Sequence, residues 1–269
     1  MNHETQQSKT WWGKFDVEPD QTLIWHIGPL TLAIRRLAQE WQVMYNRAEI
    51  MSDDTSNWSL TSSEPPPEQF AHTERFVFTS TAKNLMLTPM LADRSIVTRP
   101  SVPFYVPAGQ ETTIYVSSPL WMKIEAGDPL VTLQEMVIQR PSDTWFGSST
   151  LEGELCYASR TQGRLKLEEL PLRPHRAITP VSIRNLKDKP LFIERLNLPV
   201  THLSLFSTSN GTLWTQTVTM IQAKDKDEAV LHIDKSPPSL HAAQATFVNG
   251  PREKLEKPVL VRAISALFG

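Results

Sequence analysis

The chain has 269 residues, 40% of them hydrophobic and 21% charged, with a formal net charge of −2. Such a chain is long enough to bury a core without disulfides or metal, and its near-neutral balance supplies no global field to gather nucleic acid or an anionic membrane. Its only cysteine, Cys156, excludes an intrachain disulfide, so the fold does not depend on an oxidising compartment. The polar N-terminus MNHETQQSKT has no apolar stretch of a secretory signal, and no run approaches the roughly 18 apolar residues of a spanning helix. The expectation is a soluble cytoplasmic protein, without nucleic-acid partner or membrane insertion.

Twenty-one prolines stand against ten glycines. Proline fixes φ and removes a donor, so the chain is cut into short segments that suit strands better than long helices. Residues 1–10 read as a loose tail. Across 30–50 two periods compete. Leu30, Leu32 and Ile34 alternate, as do Trp41, Val43 and Tyr45, while Leu30, Ile34, Leu37, Trp41 and Met44 also fit one helical face. The Gly28-Pro29 turn and the aromatic and β-branched residues at the alternating positions favour a meander. The stretch 52–69, rich in Ser, Pro and acidic residues, reads as a loop, extended at its three prolines and either mobile or laid over a surface by Trp58.

From Phe76 onward short apolar runs alternate with turn residues at the 8–12-residue spacing of sandwiches and barrels. Near the end, Pro258 opens a stretch in which Leu260, Ile264, Leu267 and Phe268 form a helical stripe, which predicts a helix over 258–268. The predicted fold is all-β: two antiparallel sandwich-like lobes, 11–170 and 171–269, closed by a short C-terminal helix. One internal echo is open to two readings. Segments 102–124 and 181–206 each read as strand, polar turn, strand, proline, strand, with Pro119 and Pro199 at matching places. Two related lobes or two ordinary meanders would both produce it.

Several segments together resemble one family, domain-of-unknown-function family number 432: IGPLTLAIRR near the start, YVSSPLWMKIE, SDTWFG, GELCYASRT, RPHRAITPVSIRN, PLFIERLNLPV and the closing RAISALFG. The resemblance spans nearly the whole chain. It implies a prokaryotic intracellular β protein with no established activity, no known cofactor and no assigned catalytic residues, so it carries no functional residue onto this chain.

The residues themselves offer little chemistry. The seven histidines show no metal-ligand spacing, a single cysteine builds no thiolate site, and Walker-type, GxGxxG and Gly-x-Ser-x-Gly motifs are absent. No metal, cofactor or catalytic residue is expected. Cys156 would become a nucleophile only if His175 approached and lowered its pKa; a small buried thiol beside Ala158 is the plainer reading. Charge is uneven, at −5 over residues 1–70 and +5 over 155–200. The most suggestive group is Arg160, Arg173, His175 and Arg176 with Trp121, Trp145 and Tyr157 in neighbouring strands. Guanidinium forks grip carboxylate or phosphate, and aromatic faces stack on planar or sugar ligands. The plainer alternative pairs these arginines with nearby glutamates and puts the tryptophans in the core. The leading functional reading is a binding or regulatory module for a protein partner or a small anionic ligand. A β-sandwich hydrolase acting on carbohydrate or phosphoester, and a structural subunit of an assembly, are the alternatives.

Overall fold

Leu23, Trp25 and Ile27 alternate with Ile24 and His26, and that two-residue period sets the first sheet. In the computed structural model, which describes residues 10–48, 57–63, 70–147, 153–224, 229–242, 244–254, 259–261 and 264–265, the strand Thr22–Ile27 pairs antiparallel with Leu30–Arg36, which in turn pairs with Glu40–Arg47. The meander over 30–50 is therefore the one that forms, with Leu37–Gln39 as its turn. His72–Val77 and Trp58–Ser63 complete this sheet at its two ends, in the order 58–63, 22–27, 30–36, 40–47, 72–77. Part of the stretch expected to be a loop is thus a strand. Trp58 and Leu60 lie opposite Ile27 and Trp25, and a ladder of six residue pairs outweighs the loop-forming tendency of the serines. The remainder of 52–69 lies outside the described residues.

The chain forms two compact units and passes between them several times. Among the described residues the first takes 1–90, 120–139 and 173–175; the second takes 91–119, 140–172 and 176–269. In the first unit a four-stranded antiparallel sheet, Gly13–Asp16, Asn84–Met90, Trp121–Ala126 and Val131–Val137, packs on the five-stranded one. Trp25, Ile27, Leu32, Ile34 and Val43 face Leu85, Leu87, Met122, Ile124 and Met136, all buried. Phe15 meets Trp25 edge-on across this core at 5.2 Å. Each such fully buried large side chain contributes about 1.5–3 kcal/mol of transfer free energy.

The second unit is built on Arg176–Asn185, buried along nearly all its length. One edge pairs antiparallel with Glu111–Pro119 over nine residues. The other edge is shared by two parallel neighbours, Leu213–Trp214 beside 177–178 and Val218–Gln222 beside 181–185. Pro180 falls in the gap between them. Its partner Tyr115 turns its own N–H and C=O away, to Arg164, so the missing proline N–H interrupts no ladder bond. The second sheet of this unit runs Ser142–Gly147, Gly153–Ala158, Ile96–Thr98, Arg195–Leu198 and Ile264–Ser265. Its central pairing, Gly153–Ala158 on Ile96–Thr98, is also parallel. The antiparallel expectation therefore holds for the first unit, while the second mixes in three parallel pairings.

One further expectation is corrected here, and one open alternative is decided. The helix expected over 258–268 is not formed at its described positions: Val259–Val261 pairs with Ala229–Leu231, and Ile264–Ser265 with Leu196 and Arg195. Val259, Val261 and Ile264 are β-branched, and an open sheet edge offers such residues more than a short, marginal helix does. Among the described residues the helices are two 3₁₀ turns and the single turn Ser239–Ala242. The internal echo is not a duplication either. Segment 102–124 runs short strand, long strand (Phe104–Val106, Glu111–Pro119), and 181–206 continues from long to short (Arg176–Asn185, Leu191–Ile193). The two segments pair with each other, long on long and short on short. Asn185 knits the two turns by donating from Nδ2 to the carbonyls of Val106, Pro107 and Lys189.

Candidate functional site

Three neighbouring strands of the five-stranded sheet of the second unit end in register. Ala158 lies beside Val97, and Val97 beside Asn197; Thr98 lies beside Leu196. The Ser159 N–H continues the parallel ladder onto the Val97 carbonyl at 2.8 Å. Just past these pairings stand Arg99 and Arg160, and Arg195 is the first residue of the third strand. All three line one cleft of about 590 Å³, with Val97 and Ala158 at its floor and Ser159, Thr161 and Trp145 around it.

No aspartate or glutamate is among the described residues that line this cleft. Among the described residues Arg99 and Arg160 have no side-chain hydrogen bond or ion pair, and both are exposed. Arg195 is anchored: Nη2 donates to the Trp145 carbonyl at 2.8 Å and the guanidinium lies 5.3 Å over the Phe146 ring. Glu154, on the same sheet face, is held by the Asn197 side-chain amide and does not line the cleft. Like charges gathered in one cleft repel, so the cluster is a standing electrostatic cost that an anion would relieve.

Of the residues singled out from the sequence, the structure brings Trp145 and Arg160 to this cleft and sets Arg176 behind it. Arg176 is buried, and Nη2 donates to Ser159 Oγ at 3.2 Å and Thr161 Oγ1 at 2.8 Å, both belonging to residues of the cleft wall. Tyr157 is in the same sheet but on the opposite face, where its hydroxyl donates to Asp93 at 3.0 Å and the Arg94 guanidinium covers its ring. Burial, then that carboxylate, pushes its phenol above the ordinary range. Trp121, Arg173 and His175 belong to the first unit, with Trp121 and His175 buried there and Arg173 half-buried. Arg99 and Arg195 were missed. Neither neighbours the Arg160–Arg176 stretch in sequence, and only the pairing of three distant strands brings them to one cleft.

Cys156 is fully buried beside Val97 and Phe146. Burial, and after it the Glu154 carboxylate, pushes its thiol up to about 12, so at neutral pH it is a core thiol and no nucleophile. A second concavity of about 680 Å³ also lies in this unit, where His241 stacks on Trp214 at 5.7 Å and its Nε2 shares a hydrogen bond of 2.8 Å with the Tyr115 hydroxyl. Its lining is apolar and hydroxylic with one carboxylate, Glu168, and no Lys or Arg among the described residues. Among the described residues no group of three or more His, Cys, Asp and Glu stands ready to hold a metal ion, and no helix is long and apolar enough to cross a membrane.

An almost all-β chain with a basic cleft at one sheet end is the class these observations define. A family described as "Protein of unknown function (DUF432)" matches residues 11–268, and the chain belongs to it. No curated protein matches the chain. No solved structure matches it either.

Proposed function

We propose that the protein is a binding module for an anionic ligand, taken in the cleft of Arg99, Arg160 and Arg195. The observation that carries the reading is the composition of that cleft. Three arginines from three segments distant in sequence line it, and no carboxylate of the described residues does. Structural arginines are ordinarily neutralised by acids in contact with them, as Arg184 is by Glu111 at 2.8 Å elsewhere in this unit. Here Arg99 and Arg160 keep their donors for something else. Guanidinium forks recognise oxyanions bidentately, and the hydroxyl of Ser159 adds a short donor on the same wall. The single thiol suits a reducing compartment, and the reading places the module in the cytoplasm.

Thermal unfolding at low ionic strength tests the proposal, with phosphate, sulfate and citrate each added to the whole chain. An anion that binds the folded state raises the melting temperature with its concentration. The expected result is a rise with at least one of the three, lost in the double variant Arg99→Gln/Arg160→Gln. An equal rise in that variant, or none with any anion, overturns the reading.

A further inference from the structure

The network behind the cleft bears on which anion fits. Arg176 is 3% exposed and does not itself line the cleft. Its Nε donates to Ser117 Oγ at 2.8 Å, and Nη2 reaches the Ser117 carbonyl together with Ser159 Oγ and Thr161 Oγ1. The Thr161 hydroxyl donates to that same Ser117 carbonyl at 3.0 Å, and the Thr161 N–H donates to Ser159 Oγ at 3.3 Å. One buried guanidinium therefore ties the residues on either side of Arg160 to the strand Glu111–Pro119. It also fills the acceptor side of the Ser159 hydroxyl. The Ser159 proton is left with Thr161 Oγ1 at 3.1 Å and the already crowded Ser117 carbonyl at 3.4 Å, both weaker than a bond to an oxyanion.

Counting donors separates the candidate ligands. A carboxylate has two oxygens and one negative charge, which one guanidinium fork nearly satisfies. Three guanidinium groups and a hydroxyl, with a fourth positive charge behind the wall, exceed that. A phosphoryl group carries about −1.5 to −2 charges and three strong acceptor oxygens, which matches the donors by number and by charge.

We infer that the cleft is built for a phosphoryl group on a small ligand, and that Arg176 is the positioning residue that orients Ser159 and holds Arg160 for it. The inference rests on the anion-binding reading above and goes beyond it by naming the group bound. Isothermal titration calorimetry with inorganic pyrophosphate and with citrate, two small polyanions of different geometry, tests it on the whole chain. Pyrophosphate should bind the native protein about tenfold more tightly than citrate, the worth of one hydrogen bond to a charged group. Ser159→Ala and Thr161→Val should each erode that preference while leaving citrate affinity within about twofold. Arg176→Lys keeps the charge but not the fork, and should erode it too. Should that variant fail to fold, the two hydroxyl variants decide.

Citrate binding as tightly as pyrophosphate, with both lost in Arg99→Gln/Arg160→Gln, overturns the phosphoryl assignment and leaves the anion-binding reading standing. A pyrophosphate preference unchanged in folded Arg176→Lys and in both hydroxyl variants overturns the positioning role. No binding of either anion overturns the reading and the inference together.

Discussion

The imidazole of His175 occupies the space that a side chain on Gly28 would need. A β-carbon at Gly28 would stand 2.4 Å from His175 Nδ1, and Gly28 itself holds φ at +55°, in the left-handed region. Both belong to the first unit, where the His175 carbonyl also accepts from the Leu120 N–H at 3.1 Å and the Pro174 carbonyl accepts from the Trp11 indole at 2.8 Å. The turn before Pro29 is thus shaped by tertiary packing as much as by local turn preference. Gly28→Ala should destabilise the fold by about 1–3 kcal/mol, from the left-handed backbone and the collision together. In a His175→Ala background the collision is gone and the cost of Gly28→Ala should fall. Urea unfolding of the four proteins of that cycle reads the difference. Equal costs in the two backgrounds would mean that the ring does not constrain Gly28.

The arginines of the cleft make a prediction about stability that needs no ligand. Two like charges in water repel by about 1 kcal/mol at about 4 Å, and by less farther apart. Arg99→Gln should therefore unfold at a higher temperature than the native chain at low ionic strength. Salt screens the repulsion within a Debye length of about 10 Å at 0.1 M, so the gain should shrink as salt is added. A lower melting temperature at every salt concentration would show that Arg99 is held by a structural partner.

Much of the architecture was legible because its signals are local. The alternation of Leu30, Leu32 and Ile34 with that of Trp41, Val43 and Tyr45 specified a hairpin, and the hairpin is there. The failures share a physical cause. Leu260 and Ile264 read as a helical stripe, yet they lie opposite Val230 and Leu196, residues about thirty and nearly seventy positions earlier. Trp58–Ser63 is serine-rich and was read as loop, but Thr22–Ile27 supplies it with a full ladder. The cleft lay deepest out of sight. Arg160 and Trp145 were legible as a guanidinium and an aromatic ring in a basic stretch. Arg99 and Arg195 gain their meaning only from the pairing of three strands distant in sequence.

Glu40 gives a pH dependence whose sign is fixed. The hydrogen bond from Arg75, with 2.6 Å between Nη2 and Oε2, holds its carboxyl below the ordinary value of 4.5, against an opposing push from desolvation. A carboxylate depressed in the folded state stabilises fully above its unfolded value and loses that contribution as pH falls through the lower folded one. Glu40→Gln should therefore be less stable than the native chain at pH 7, and the gap should narrow as pH falls below the ordinary value of 4.5. Denaturant midpoints of both proteins between pH 7 and pH 3 measure this, and a constant gap would refute the linkage.

Cys156 supplies the opposite sign at the alkaline end. Its thiol is pushed from about 9 up to about 12, first by burial and then by the Glu154 carboxylate. At pH 8 the folded chain then holds roughly one part in ten thousand as thiolate, the only form that attacks a disulfide reagent. An aromatic disulfide added to the native protein at pH 8 should release almost no chromophore, and one equivalent once denaturant is added. The raised value also acts on stability. The folded state resists losing the proton, so the contribution is complete below the unfolded value and fades as pH rises toward 12. Cys156→Ala removes that alkaline sensitivity but leaves a small cavity beside Val97 and Phe146, so it should cost about 1 kcal/mol at pH 7. The difference between the two proteins should then narrow above pH 9. Rapid labelling of the native chain at pH 8 would instead show that the thiol is reached through opening of the sheet, and the rate of that labelling would measure the opening.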